Sequence, residues 1–292
     1  MTTVDVTAIL AAYLVDPAFT TAFDASPRNA VLSLGGSADL AREVSAIDLD
    51  RLQAFRGLIT KVQHNFLWST FPLTLRHLRH HRLDQPLFTA LATTHLGLRQ
   101  QGVRDVNARV SVFVDFAAEF LRRARRRGAL ECGLLLAHED CLRQVNEPYE
   151  LLAMGDDARP HRVTPRSIPV LLGRLCVRTF PASPLPLANA VSSGKRTAPV
   201  RPKQTDMAYW NSIDGQGARV FAVTDLTPRL LTAVDGCRSV GQIVRHVTSV
   251  RAAGPFLSAF VTAAQLGLIT FRSPAAASPG PASGGASVSK VS

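Results

Sequence analysis

The chain has 292 residues and a mass of 31.5 kDa, room for one large domain or two modest ones. Hydrophobic residues make up 46% and charged residues 19%, which excludes a wholly disordered protein. Lys and Arg number 33 against 22 Asp and Glu, a net charge of +11 that favours an anionic partner: nucleic acid, an acidic peptide or an acidic protein face.

No uninterrupted apolar run is long enough for a membrane-spanning helix. The opening MTTVDVTAILAAYLVDP has neither the basic start nor the small-residue cleavage site of a secretory signal. The expectation is a cytoplasmic protein with no membrane partner. The four cysteines, Cys132, Cys141, Cys176 and Cys237, form no C-x-x-C pair, so neither a disulfide framework nor a zinc site is expected and the thiols read as buried or idle.

The first half reads as helical. Val4 to Asp16 is an apolar helix stopped by Pro17, Pro17 to Phe23 is a second, and Ser26-Pro27 opens a third that Gly35-Gly36 end. From Asp48 the apolar positions Leu52, Phe55, Ile59, Val62 and Phe66 recur at steps of three and four, one face of a long amphipathic helix that Pro72 kinks or restarts. Val106 to Arg127 carries Val110, Phe113, Phe116, Ala117, Phe120 and Ala124 on one stripe, and its RRARRR end meets the negative pole of the helix dipole before a left-handed cap at Gly128. Leu130 to Leu142 is a further helix. Residues 1–150 therefore read as a helical bundle.

Residues 160–206 hold eight Lys or Arg against one acid, Asp206. Within them Ile168 to Phe180 reads as a strand, and the Pro/Ser-rich run that follows as a mobile linker. Residues 207–272 form a compact unit. Strands at Met207–Ser212 and Arg219–Val223 flank a turn at Asp214-Gly215 and Gln216-Gly217, helices follow at Thr227–Val234, Ser239–Val247 and Ala253–Ala264, and Gly267–Phe271 closes as a strand. That order predicts a winged helix-turn-helix. Residues 273–292 read as a disordered tail. The fold class is thus mainly α with a small β component, an N-terminal helical bundle followed by a C-terminal winged helix-turn-helix.

The run RVFAVTDLTPRLLTAVDGCRSVGQIVRHV resembles the peptide-binding winged-helix domain of the pyrroloquinoline quinone peptide chaperone, a recognition element of pathways that modify ribosomally made peptides. The resemblance rests on Val220 to Val223, Thr227, Leu230-Leu231, Asp235-Gly236, Ser239-Val240 and Ile243. In the N-terminal half, DPAFTTAFDASPRNAV and FRGLITKVQHNFLWSTFPLTLRHL, with Phe71-Pro72 and FAAEFL at Phe116–Leu121, resemble the helical domain of partner proteins of multinuclear non-haem iron peptide oxidases. Those partners serve the methanobactin and thiaglutamate pathways. The basic stretch 160–206 departs from both patterns.

These resemblances imply a non-catalytic accessory subunit in a heterodimer with an iron oxidase. It would hold a precursor peptide while the oxidase modifies a cysteine in it, with iron in the partner and no cofactor or metal in this chain. An extended peptide can complete a sheet at a free strand edge. The leader is therefore placed along Arg219, Val220, Phe221, Ala222 and Val223, against Phe256, Leu257 and Phe260; the same phenylalanines are equally suited to the small domain's core. Trp68, Phe71, Arg76, Arg79 and Arg82 are the expected contacts to the enzyme. Arg219, Arg229, Arg238 and Arg245 either meet acidic leader residues or form a solvated face.

Other chemistry is weakly marked. His77 and His81 are one turn apart, with Asp84 beyond, a spacing able to hold a metal but read here as a surface histidine pair. His138-Glu139-Asp140 lacks the H-E-x-x-H spacing, Cys132 and His138 sit on opposed sides of a helix, and there is no G-x-S-x-G, P-loop or dinucleotide fingerprint. The rival to peptide binding is a winged-helix DNA-binding regulator. Its recognition helix would be Ala253 to Ala264, yet AAGPFLSAFVTAA offers no charged or amide side chain to base edges.

Overall fold

The computed structural model describes residues 4–100, 105–147, 163–212, 217–223, 227–248 and 253–272; the expected turn at Asp214-Gly215 and the tail from Ser273 lie outside the described residues. The fold is mainly helical with a small sheet component. It divides into two compact units, and neither is one continuous run: Met1–Asp140 joins Ala182–Lys203, and Cys141–Pro181 joins Gln204–Ser292. This differs from the expected divisions at residues 150 and 207, because the segment read as a linker contributes ordered structure to both units.

In the first unit, short helices start where an acid or hydroxyl side chain accepts the first free N–H groups. Asp5 caps α1 (Val6–Val15) through Ala8 N–H at 2.8 Å, Asp16 caps α2 (Pro17–Ala25) through Ala18 and Phe19, and Ser37 caps α4 (Ala38–Ser45) through Leu40. Between the last two lies α3 (Pro27–Ser33). Ile9, Tyr13, Phe19, Phe23, Val31, Val44 and Leu52 bury one core among them. A polar knot sits at its edge: the Tyr13 hydroxyl donates to Asp24 at 2.8 Å, and Arg56 pairs with Asp24 at 3.4 Å with its guanidinium 5.0 Å from the Tyr13 ring centre.

Helix α5 (Leu49–Gln63) ends before Phe66 and buries a different face from the expected one. Leu52, Arg56, Gly57 and Thr60 face inward, whereas Phe55, Leu58 and Val62 are 51%, 47% and 67% exposed. The reason is backbone approach. A Cβ on Gly57 would stand 2.8 Å from Thr89 Cα of α8 (Asp84–Gln100), so the bare glycine sets the crossing and turns the larger apolar stripe outward. Lys61 and Asp84 pair across the same two helices at 2.6 Å.

After the short α6 (Leu67–Thr70), Pro72 starts α7 (Pro72–His80) afresh. This helix has no cap of its own. Glu139, on α10 (Ala129–Asn146), supplies the acceptors: its carboxylate takes the N–H of Leu73 at 2.8 Å, the N–H of Thr74 at 2.9 Å and the Thr74 hydroxyl at 2.6 Å. Burial pushes that carboxyl up from its ordinary range, and the three donors oppose the shift. Helix α9 (Val106–Arg123) buries Val110, Phe113, Ala117 and Leu121 against Leu67, Phe71, Leu75, Leu78 and Phe88. Gly128 has the expected left-handed backbone, φ +84°, but α9 has already ended, and the glycine instead leads into α10. A Cβ there would meet the His81 ring at 2.3 Å.

The Pro/Ser-rich run contains α11 (Leu185–Ser192), which packs on α7 and buries Leu187, Ala188 and Val191. Its prolines belong to the helix start, with Pro184 at the cap and Pro186 in the first turn, where no N–H is needed.

In the second unit the expected single strand is two, β1 (Ile168–Leu171) and β2 (Gly173–Phe180), because each pairs elsewhere. β1 runs antiparallel to β5 (Ile269–Arg272), while β2, β3 (Thr205–Ser212) and β4 (Ala218–Val223) form an antiparallel sheet in that order. Helices α12 (Thr227–Thr232), α13 (Val240–Thr248) and α14 (Leu257–Gln265), the last preceded by a 3-10 turn Gly254–Phe256, fall where expected. The carbonyls of Ser167 and Pro165 accept the first N–H groups of α13, at 2.9 and 2.8 Å from Val240 and Gly241. Asp235, its carboxyl held down to about 2 by the N–H groups of Arg238 and Cys237 and by the Arg238 guanidinium, fixes the turn before it.

Among the described residues no single helix is long and apolar enough to cross a membrane.

The helical unit should weaken in acid. Burial holds His77 and His138 at about 4 against an ordinary 6.5; near His77, His81 and His80 push the same way and Glu131 opposes. The unfolded chain therefore takes up these protons first, and the stability they contribute is full above pH 6.5 and lost as pH falls toward about 4, by up to roughly 3 kcal/mol each. Thermal midpoints measured across that range should fall, and a His138→Leu variant should flatten the fall.

Candidate functional site

The strand expected to receive a peptide stands at the edge of its sheet. β3 is central, and among the described residues β4 is paired on one side only, to β3. Register separates its side chains. Arg219, Phe221 and Val223 stand opposite Trp210, Ala208 and Asp206, while Val220 and Ala222 stand opposite Tyr209 and Met207 on the other face.

The first of these faces lies on the helices. Trp210 is buried with Leu230, Leu231, Val240, Ile243, Val244 and Phe260, and Leu175 and Phe221 pack against that cluster. The Arg219 guanidinium lies 5.6 Å from the Trp210 ring centre, a cation–π contact on an exposed side chain. The other face is held by the end of α10. Cys176 Sγ lies 3.7 Å from Gln144 Oε1, Asn211 donates to Asn146 at 2.9 Å, and Arg174 pairs with Glu147 at 3.1 Å. Tyr209 is fully buried there, and desolvation pushes its hydroxyl up.

The expected peptide contacts thus divide. Arg219 and Ala222 are exposed, and Val220, Phe221 and Val223 are half-buried along the edge. Phe256 and Leu257, at the start of α14, are half-buried against the same core as Phe221. Phe260 is 1% exposed and anchors that core, so it is not a ligand contact; the residue faces inward one turn after Leu257 because the α14 stripe is Phe260 with Ala263.

The expected enzyme contacts divide as well. Phe71 is fully buried, with its ring 5.6 Å from that of Phe113, and is unavailable to a partner. Trp68 is half-buried against the same core, with Lys61 Nζ 5.8 Å from its ring centre. Arg76, Arg79 and Arg82 are exposed. Sequence reasoning missed the exposed stripe Phe55, Leu58 and Val62. Its signal was there: Gly57 and the polar Arg56 and Thr60 mark the opposite side of α5 as the one that packs closely.

The histidines of α7 cluster, with ring centres of His77, His80 and His81 4.5 to 6.1 Å apart. Asp84 does not join them but pairs with Lys61. Among the described residues no group of three or more His, Cys, Asp or Glu is arranged for a metal. Glu139 and His138 are both buried, Glu139 as the cap of α7. Burial raises the Cys132 thiol to about 12, and Cys141 is raised by its hydrogen bond to Cys176 and by burial, which disfavours either as a thiolate nucleophile.

Phe260→Ala should lower stability by about 3 kcal/mol or more, whereas half-buried Phe221→Ala should cost about 1 kcal/mol and leave a folded protein for binding work. Denaturant midpoints of the two variants check the contrast. No protein-family model matches this chain, and comparison with curated proteins finds no match.

Proposed function

We propose that this protein is a non-catalytic, cytoplasmic accessory subunit that binds the leader of a ribosomally made precursor peptide and presents its core to a non-haem iron oxidase, which modifies a cysteine there. The observation that carries the reading is β4: an edge strand whose backbone hydrogen-bonds to β3 on one side, backed by Trp210 and Phe221 and bordered by the first turn of α14. A peptide added as a further strand gains main-chain hydrogen bonds for affinity, and alternate side chains meet the Phe221–Phe256–Leu257 surface for specificity. Three antiparallel strands, three helices and a closing strand support a winged-helix reading of this unit. Its closing strand, β5, pairs with β1.

The role needs no chemistry in this chain. Holding the leader raises the effective concentration of the core at the partner's iron, so that modification becomes effectively intramolecular. The enzyme-facing surface is assigned to the helical unit, to Trp68, Arg76, Arg79 and Arg82 with the exposed α5 stripe.

The test is reconstitution. The purified oxidase should modify the precursor only slowly without this protein, and equal rates with and without it overturn the role. Recovery of nucleic acid instead of peptide, lost on nuclease treatment, would establish the regulator reading. Strand addition has its own signature: N-methylation along the leader should reduce affinity about tenfold at alternate positions only, since alternate N–H groups enter the ladder. Losses at helical spacing, or at none, would remove β4 as the binding edge.

A further inference from the structure

A cavity of about 410 Å³ opens in the first unit between α7 and the segment that follows α11. α7 contributes Arg76, His77 and His80, and the segment contributes Lys195, Arg196 and Thr197. The sequence builds this wall with a Schellman turn. Gly194, at φ +67°, lets its own N–H reach Val191 O and lets Lys195 N–H reach Ala190 O at 2.9 Å, which ends α11 and turns the next residues toward α7. Arg76 is tied in by a 3.1 Å hydrogen bond from Nη1 to Val191 O.

Three features set the chemistry. Arg76, Lys195 and Arg196 bring three positive charges to the lining, and none of the lining residues is acidic. His77 lines the cavity with only 3% of its surface exposed, so its ring is part of the wall and not a contact group. Burial keeps the His77 ring neutral at physiological pH, so it adds no charge to that of the three cations. The volume far exceeds that of a lone ion and suits a small organic molecule.

We infer that this cavity binds a small molecule through a phosphate group, with Arg76, Lys195 and Arg196 neutralising the phosphate and the Thr197 hydroxyl donating to its oxygens. A phosphate accepts the planar fork of arginine and the point charge of lysine together, and its two negative charges suit three cations better than a single carboxylate does. The site lies away from the β4 edge and does not depend on peptide binding there, although it shares Arg76 with the surface assigned to the oxidase.

Isothermal titration of the full chain with inorganic phosphate, pyrophosphate and adenosine monophosphate, alongside a poly-glutamate peptide, tests it. Adenosine monophosphate or pyrophosphate should bind and shift the His77 ring-proton resonances. Lys195→Ala/Arg196→Ala, on an exposed segment, should weaken that binding at least about tenfold. The control Arg125→Ala/Arg126→Ala, which removes the same charge elsewhere, should leave it unchanged. Binding of inorganic phosphate as tight as that of the organic phosphate would mean the cavity recognises the free ion and would overturn the small-molecule part. Equal losses in both double variants, no binding of any phosphate, or tighter binding of poly-glutamate that is lost in Lys195→Ala/Arg196→Ala would overturn the site.

Discussion

Glu139 does for α7 what α7 cannot do for itself. A helix that begins with proline still leaves N–H groups in its first turn, and α7 has no side chain of its own to accept them. The acceptor comes from 65 residues downstream, from a carboxylate 5% exposed in the helical core. A buried carboxylate is tolerated where donors surround it, and here two amides and a hydroxyl do. At the other end of α7 the His81 ring lies against Gly128, where any side chain would collide. With both ends fixed, the helix presents Leu75 and Leu78 inward and Arg76 and His80 outward without freedom to rotate.

Much of this architecture was legible. Prolines at the starts of α2, α3 and α7 and the Asp235-Gly236 turn mark boundaries by local chemistry, and local chemistry survives in a sequence read alone. What was lost depended on partners. The inward face of α5 is set by how closely α8 approaches at Gly57, and periodicity chose the more hydrophobic face, the wrong one. The break between β1 and β2 reflects two different pairing partners, one of them about a hundred residues away. Prolines beside serines read as a linker, although Leu187, Ala188 and Val191 already formed a helical stripe. At the candidate site, the strand and its neighbouring helix were legible, whereas burial of Phe71 and Phe260 was not, because a single sequence does not say which way one aromatic side chain faces.

Edge strands ordinarily carry protection against unwanted pairing. β4 has little: it is six residues long and its exposed side chains are Arg219 and Ala222. One arginine, drawn over Trp210, guards a strand that among the described residues pairs on one side only, and the proposed uptake of an extended chain would use that open edge.

The pairing of β1 with β5 bears on how the chain acquires its structure. Ile168 meets Arg272, so a loop of about a hundred residues closes before this two-stranded sheet exists, and the entropy of that closure is repaid only once the intervening helices have condensed. The β2–β3 pair closes a shorter loop, whose base is set by Phe180 opposite Thr205 and whose interior holds α11, a helix of the other unit. On a ribosome, the first hundred and forty residues can begin to pack as they emerge. The sheet-bearing unit waits for nearly all of its chain. Until then its apolar segments lack the partners that bury them in the folded unit, the condition under which unfinished chains are prone to aggregate.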